Sequence, residues 1–68
     1  MLNKQLSLSE LINELPVGKI AKAHFADENW YVTRRTDEAI VYCSEEGWFI
    51  DGLIPLTYSN LHAKYEII

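Results

Sequence analysis

The run Ala39-Ile40-Val41-Tyr42-Cys43 is apolar or aromatic at every position. A strand that keeps one face in water alternates apolar with polar residues, because successive side chains point to opposite faces of the sheet. This run does not alternate, and it predicts a strand covered on both faces. A helix can cover one of them. The other needs a further layer, and a chain of 68 residues has little left to build it from. The economical expectation is a second copy of the chain, so the run predicts self-association.

The length sets a single domain, 1–68, near the lower limit for one core without staples. Cys43 is the only cysteine, so no intrachain disulfide can form, and no Cys/His set has the spacing of a zinc site. A lone cysteine inside an apolar strand packs as a small hydrophobe, which suits a reducing compartment. No run approaches the roughly 20 apolar residues that span a bilayer. Met1-Leu2-Asn3-Lys4-Gln5 leads into a polar-faced helix and does not read as a signal peptide. The expectation is a cytoplasmic protein.

A formal net charge of −4 argues against binding duplex nucleic acid through a broad phosphate-contacting surface. The charge is unevenly spread: residues 1–25 carry +1, residues 26–51 carry −5 and residues 52–68 balance. Most of the acids fall at expected turns, where charge keeps strand tips soluble.

The strongest local signal is Ser7-Leu8-Ser9-Glu10, a capping box with Leu6 and Leu11 placed as a hydrophobic staple. Leu8, Leu11, Ile12 and Leu15 recur at the spacing of one helical face, and Pro16 stops the helix, which is expected over 7–15. After Gly18 the period becomes extended. Strands are expected at 19–25, 30–35, 39–44 and 48–51, with turns at 26–29, 36–38 and 45–47 and an end at Gly52. Short connections make them an antiparallel meander. Pro55-Leu56 breaks the pattern, Thr57 can cap a short helical turn through Ala63, and residues 64–68 read as a terminal strand. The expected fold is α+β: an N-terminal helix packed on a small antiparallel meander of four to five strands.

This inventory offers little from which to build an enzyme. His24 and His62 are the only histidines, and no acid stands at the spacing of a triad or metal site. Mid-strand Cys43 reads as inert packing. The pairs Asp27/Glu28, Asp37/Glu38 and Glu45/Glu46 diverge as solvated tips, and no phosphate loop is present. No cofactor or metal is expected, and the chain reads as a non-enzyme.

In a meander, successive turns alternate between the two ends of the sheet. The turns at 26–29 and 45–47 should therefore share one end. The other should gather Gly18-Lys19, Arg34-Arg35-Thr36 and the exit of the fourth strand, with Asp37, Glu38 and Asp51 near. Such a cluster can grip a phosphate through the fixed donors of arginine, or it can be a salt-bridged, solvated sheet end. Trp30, Tyr31, Trp48, Tyr58 and Tyr65 can stack on a base or serve the core. The candidate ligand-binding positions are Trp30, Arg34, Arg35, Tyr58 and Asn60.

Two stretches add a resemblance. Leu8-Ser9-Glu10-Leu11-Ile12-Asn13-Glu14-Leu15, followed by Pro16-Val17-Gly18-Lys19 and Trp30-Tyr31-Val32, sets an amphipathic helix, a Gly-Lys turn, a short strand and an aromatic strand in order. Thr57-Tyr58-Ser59-Asn60-Leu61-His62-Ala63-Lys64-Tyr65-Glu66-Ile67-Ile68 opens a turn with Thr and closes on an aromatic-Glu-aliphatic strand. Together, over about half of the chain, they resemble the Thoeris anti-defence sponge proteins of phages. Where that group carries Gly-Trp-Asn after its first strand, this chain has Phe25-Ala26-Asp27-Glu28-Asn29, and it is shorter through the middle. The resemblance implies a small, oligomeric, non-enzymatic protein that sequesters cyclic ADP-ribose-type immune signals in pockets between subunits.

The leading expectation is a phage-type homo-oligomer that holds a small nucleotide signal of host antiviral defence by stoichiometric capture, in the host cytoplasm. The alternatives are a protein-binding inhibitor of a host defence enzyme, docking through acidic turns and exposed aromatics, and a structural or regulatory phage protein without a small ligand.

Overall fold

The capping box forms as written. In the computed structural model of the chain, which describes residues 5–68, α1 spans Leu8–Glu14; the expectation for Met1–Lys4 lies outside the described residues. The Ser7 hydroxyl accepts from the Glu10 N–H at 3.3 Å, and the Glu10 carboxylate accepts from the Ser7 N–H at 2.9 Å. Leu6 and Leu11 are buried in one cluster, as a staple requires. Leu15 turns extended ahead of Pro16 and caps the helix. Ile12, placed with the buried face by its spacing, lies on the flank and is half exposed.

Five strands follow: β1 Ile20–Phe25, β2 Glu28–Arg34, β3 Ile40–Cys43, β4 Phe49–Leu53 and, after the short helix α2 Tyr58–His62, β5 Lys64–Ile67. They form one antiparallel sheet in the order β4-β3-β2-β1-β5. The first four strands are the expected meander, and the last returns to the free side of β1. Its outer edge is in turn met by Leu6, which exchanges backbone hydrogen bonds of 2.7 and 2.9 Å with Tyr65. The α+β architecture read from the sequence is the one observed.

Two boundaries differ from the sequence reading for local reasons. Phe25 pairs with Glu28, so Ala26-Asp27 alone makes the turn and β2 starts two residues earlier than expected. That tight turn holds Ala26 at φ +52°, in the left-handed region. Gly52 sits inside β4 instead of ending it. Val41 pairs with Leu53 and Cys43 with Phe49, so two steps along β3 face four along β4, and the extra residues make a bulge.

Paired positions share a face, so the register assigns the two layers. Ala21 and Ala23 of β1, Val32 of β2, and Tyr65 of β5 face the helices and pack with Leu6, Leu8, Leu11 and Leu15. The small alanines leave room for the leucines of α1. The tail is pinned here as well. Thr57 caps α2, and buried Asn60 donates through its side-chain amide to the Tyr42 hydroxyl at 2.8 Å and the Pro55 carbonyl at 3.0 Å. The Tyr65 hydroxyl donates to the Asn60 carbonyl at 2.7 Å.

The opposite face answers the question posed by the run at 39–43. Val41 is 0% and Cys43 3% exposed within a single chain, beside buried Thr33, whose hydroxyl donates to the Lys19 carbonyl at 2.7 Å. The bulged β4 and the turn before it supply the cover. A side chain at Gly47 would come within 3.2 Å of the Ile20 methyl, at the start of β1. The 45–47 turn thus curls across the sheet and does not stand beside the 26–29 turn, as a flat meander requires. A second copy is not needed to bury this strand.

Candidate functional site

The curl creates a concavity at the end of the sheet where cations were expected. The helix-to-strand turn and strand ends contribute Val17-Gly18, Ile20 and Thr33-Arg34-Arg35-Thr36, and the β3–β4 connection contributes Glu46, Gly47 and Phe49, around a volume of about 280 Å³. Gly18 takes φ +84°, a conformation glycine adopts without strain, and its N–H donates to the Arg34 carbonyl at 3.1 Å. This bond holds the helix-to-strand turn against the end of β2.

The two arginines have separate tasks, as adjacent strand positions imply. Arg34 pairs with Ile40 on the helix side of the sheet, and its guanidinium donates to the Ile12 carbonyl in the last turn of α1. A cation there satisfies an otherwise unpaired carbonyl and complements the negative end of the helix. Arg35 holds Asp37 through two bonds, Nε to Oδ1 at 3.2 Å and Nη2 to Oδ2 at 2.8 Å. The Arg35 guanidinium, with help from the Ala39 N–H, keeps the Asp37 carboxyl below its usual range. That stabilisation is present above the ordinary carboxylate pKa and fades as the pH falls through the lowered one. Asp37 is exposed, so salt screens the pair.

The remaining candidates lie elsewhere. Tyr58 is exposed in α2, stacked on His62 at 4.3 Å between ring centroids and edge-on to Phe25 at 5.8 Å. Phe25 ends β1 and the arginine end lies at its start, so the backbone at Phe25, which Tyr58 touches, is roughly 17 Å from that end at the strand rise. Asn60 is 1% exposed and bonded into the core. Trp30 is half-buried against the core on the helix side, and its Nε1 meets no acceptor among the described residues. Of the five positions, the structure brings only Arg34 and Arg35 together, and Arg35 is the one not committed to the helix. Lys19 is exposed and outside the lining.

Six members of the lining lie outside the cluster read from the sequence: Val17, Ile20 and Thr33 beside the arginines, and Glu46, Gly47 and Phe49. Glu46 and Gly47 belong to a turn that a flat meander puts at the far end of the sheet, and the bulge swings them and Phe49 over. Gly52 within an apolar stretch was its signal.

A second cleft, of about 270 Å³, opens between α1 and the β4 edge. It is apolar, lined by Leu8, Ile12, Ile40, Leu53, Ile54 and Leu56, with Arg34 and Glu38 at its border. On the face away from the helices, His24 meets Asn29 at 2.8 Å and Glu66 at 3.0 Å, and Lys22 lies 5.9 Å from the centre of the Tyr31 ring. Burial pushes the Cys43 thiol up, which favours the protonated, unreactive form. Among the described residues, no group of three or more His, Cys, Asp or Glu is placed to hold a metal ion, and no helix is long and apolar enough to cross a membrane. Compared with known protein families, with curated proteins and with solved structures, the chain finds no match.

Proposed function

We propose that the chain is a non-catalytic binding domain of phage type, which captures a small nucleotide signal of host antiviral defence and withholds it from its effector. The observation that supports this reading is the concavity that Arg35 and Thr36 line together with Phe49 and the glycine turn. Arg35 already holds a carboxylate in fork geometry, and a phosphate presents the same pair of acceptors with more charge. The ligand phosphate replaces Asp37 on Arg35, while the exposed Phe49 ring offers a stacking surface for a base or ribose. Arg34 shapes the site by fixing the helix and the turn.

The test is equilibrium dialysis against cyclic nucleotides and ADP-ribose derivatives. The protein should deplete one of them stoichiometrically and release it unchanged on heating. Arg35→Glu should abolish depletion and leave the circular dichroism spectrum as it was. A chemically altered ligand would favour an enzyme. No depletion at all, with a host protein co-purifying, would favour the inhibitor reading.

A further inference from the structure

The two edges of the sheet are treated differently. Beyond β5, Leu6 closes the ladder at Tyr65. Beyond β4 no strand follows among the described residues, and this edge gathers large exposed apolar side chains. Trp48, Phe49, Ile50, Leu53 and Leu56 are 74%, 62%, 68%, 65% and 75% exposed. Natural proteins blunt an open edge with charge, proline, a bulge or a covering segment; β4 has its bulge and Asp51, but residues 48–50 are apolar throughout. We propose that β4 pairs antiparallel with β4 of a second copy of this chain, joining two sheets into one across a two-fold axis.

The surface is self-complementary in the sense such an axis demands, since one patch must supply both the projection and the recess. Trp48 projects at one end of β4. The apolar cleft opens at the other, beside Leu53 and Ile54. Antiparallel pairing about Ile50 puts an apolar residue on the axis and brings the Trp48 of each chain toward the cleft end of its partner. With Phe49 left to the concavity, Trp48, Ile50, Leu53 and Leu56 offer at most roughly 570 Å² per chain on ordinary side-chain areas, the size of a weak, reversible interface. An aromatic anchor such as Trp48, set against a partner's apolar cleft, fits the composition of such interfaces. The proposal does not rest on the nucleotide reading, and it replaces the run at 39–43 as the reason for self-association.

Sedimentation equilibrium at tens of micromolar should give twice the 7.9 kDa chain mass. Ile50→Lys should return the mass to one chain with an unchanged circular dichroism spectrum, because Ile50 is exposed in the single chain. Leu61→Lys, a matched change on α2, should leave the dimer intact. Hydrogen exchange at residues 49–53 should slow several-fold at concentrations that favour the dimer and quicken in Ile50→Lys. A single-chain mass at that concentration, or a dimer that survives Ile50→Lys with its β4 exchange unchanged, would overturn the proposal. Arg35→Glu should dimerise normally, which separates this result from any failure of ligand capture.

Discussion

Tyr65→Phe isolates one hydroxyl at the centre of the core. The ring is fully buried on β5, and its hydroxyl donates to the Asn60 carbonyl at 2.7 Å. Phenylalanine keeps the packing and leaves that carbonyl without its donor, at about 1–3 kcal/mol. A second consequence appears in alkali. Burial, with a smaller contribution from Tyr42, pushes the Tyr65 hydroxyl up to about 12 from an ordinary value of 10. The folded state then keeps a proton that the unfolded chain gives up, so stability is complete below pH 10 and falls as the pH rises from 10 through 12. Two pH units correspond to roughly 2–3 kcal/mol, a large part of the stability of so small a domain. Urea unfolding followed by circular dichroism at pH 7, 9, 10, 11 and 12 would measure both effects. The wild type should be flat to pH 9 and then decline, whereas Tyr65→Phe should start lower and decline less. An equally steep alkaline decline in the variant, or a loss under 0.5 kcal/mol at pH 7, would refute the assignment of a buried, donating hydroxyl.

Three further outcomes are expected. Ala26→Gly should stabilise the fold by about 0.5–1 kcal/mol in the same urea assay, because glycine holds positive φ without the Cβ clash. Leu11→Ala should cost roughly 2–5 kcal/mol against about 1 kcal/mol for Ser7→Ala, since the first empties a fully buried site and the second removes only a cap; equal melting temperatures for the two would contradict a docked α1. Arg34→Ala should lower the melting temperature through the lost bond to Ile12, while Arg35→Ala, on an exposed pair, should leave it unchanged; the reverse order would show the two roles to be misassigned.

Most of the architecture was legible because it rests on local chemistry. The Ser7 box, the Pro16 stop and the Thr57 cap each declare themselves within four residues, and the observed helices and strands follow them. The β3 run was also read correctly as covered on both faces. What covers it was not, because the cover depends on a bulge whose effect is three-dimensional: the flat meander sends Glu46 and Gly47 to the wrong end. The same gap affected the site. Arg34, Arg35 and Gly18 converge as topology requires, but neither the helix carbonyl that takes Arg34 nor the core that takes Asn60 has a signature in spacing. Polar side chains mid-segment look alike in a sequence whether they meet a ligand or a backbone carbonyl.

The return of β5 to β1, with Leu6 bonded to Tyr65, sets an order of events in synthesis. The leucines of α1 and the alanines of β1 emerge first, but the wall that closes over them includes Tyr65 and Ala63, among the last residues described. Contacts this distant in sequence form slowly and only after much of the chain has been ordered. Until residues 64–67 are free of the ribosome, β1 has one open edge and α1 an uncovered face, with the apolar β4 exposed at the same time. A nascent chain is therefore at greatest risk of sticking to its neighbours in the interval before residues 64–67 emerge. A pause or truncation near Pro55 would strand it in that state, whereas the docking of β5 leaves, among the described residues, the β4 edge as the open one.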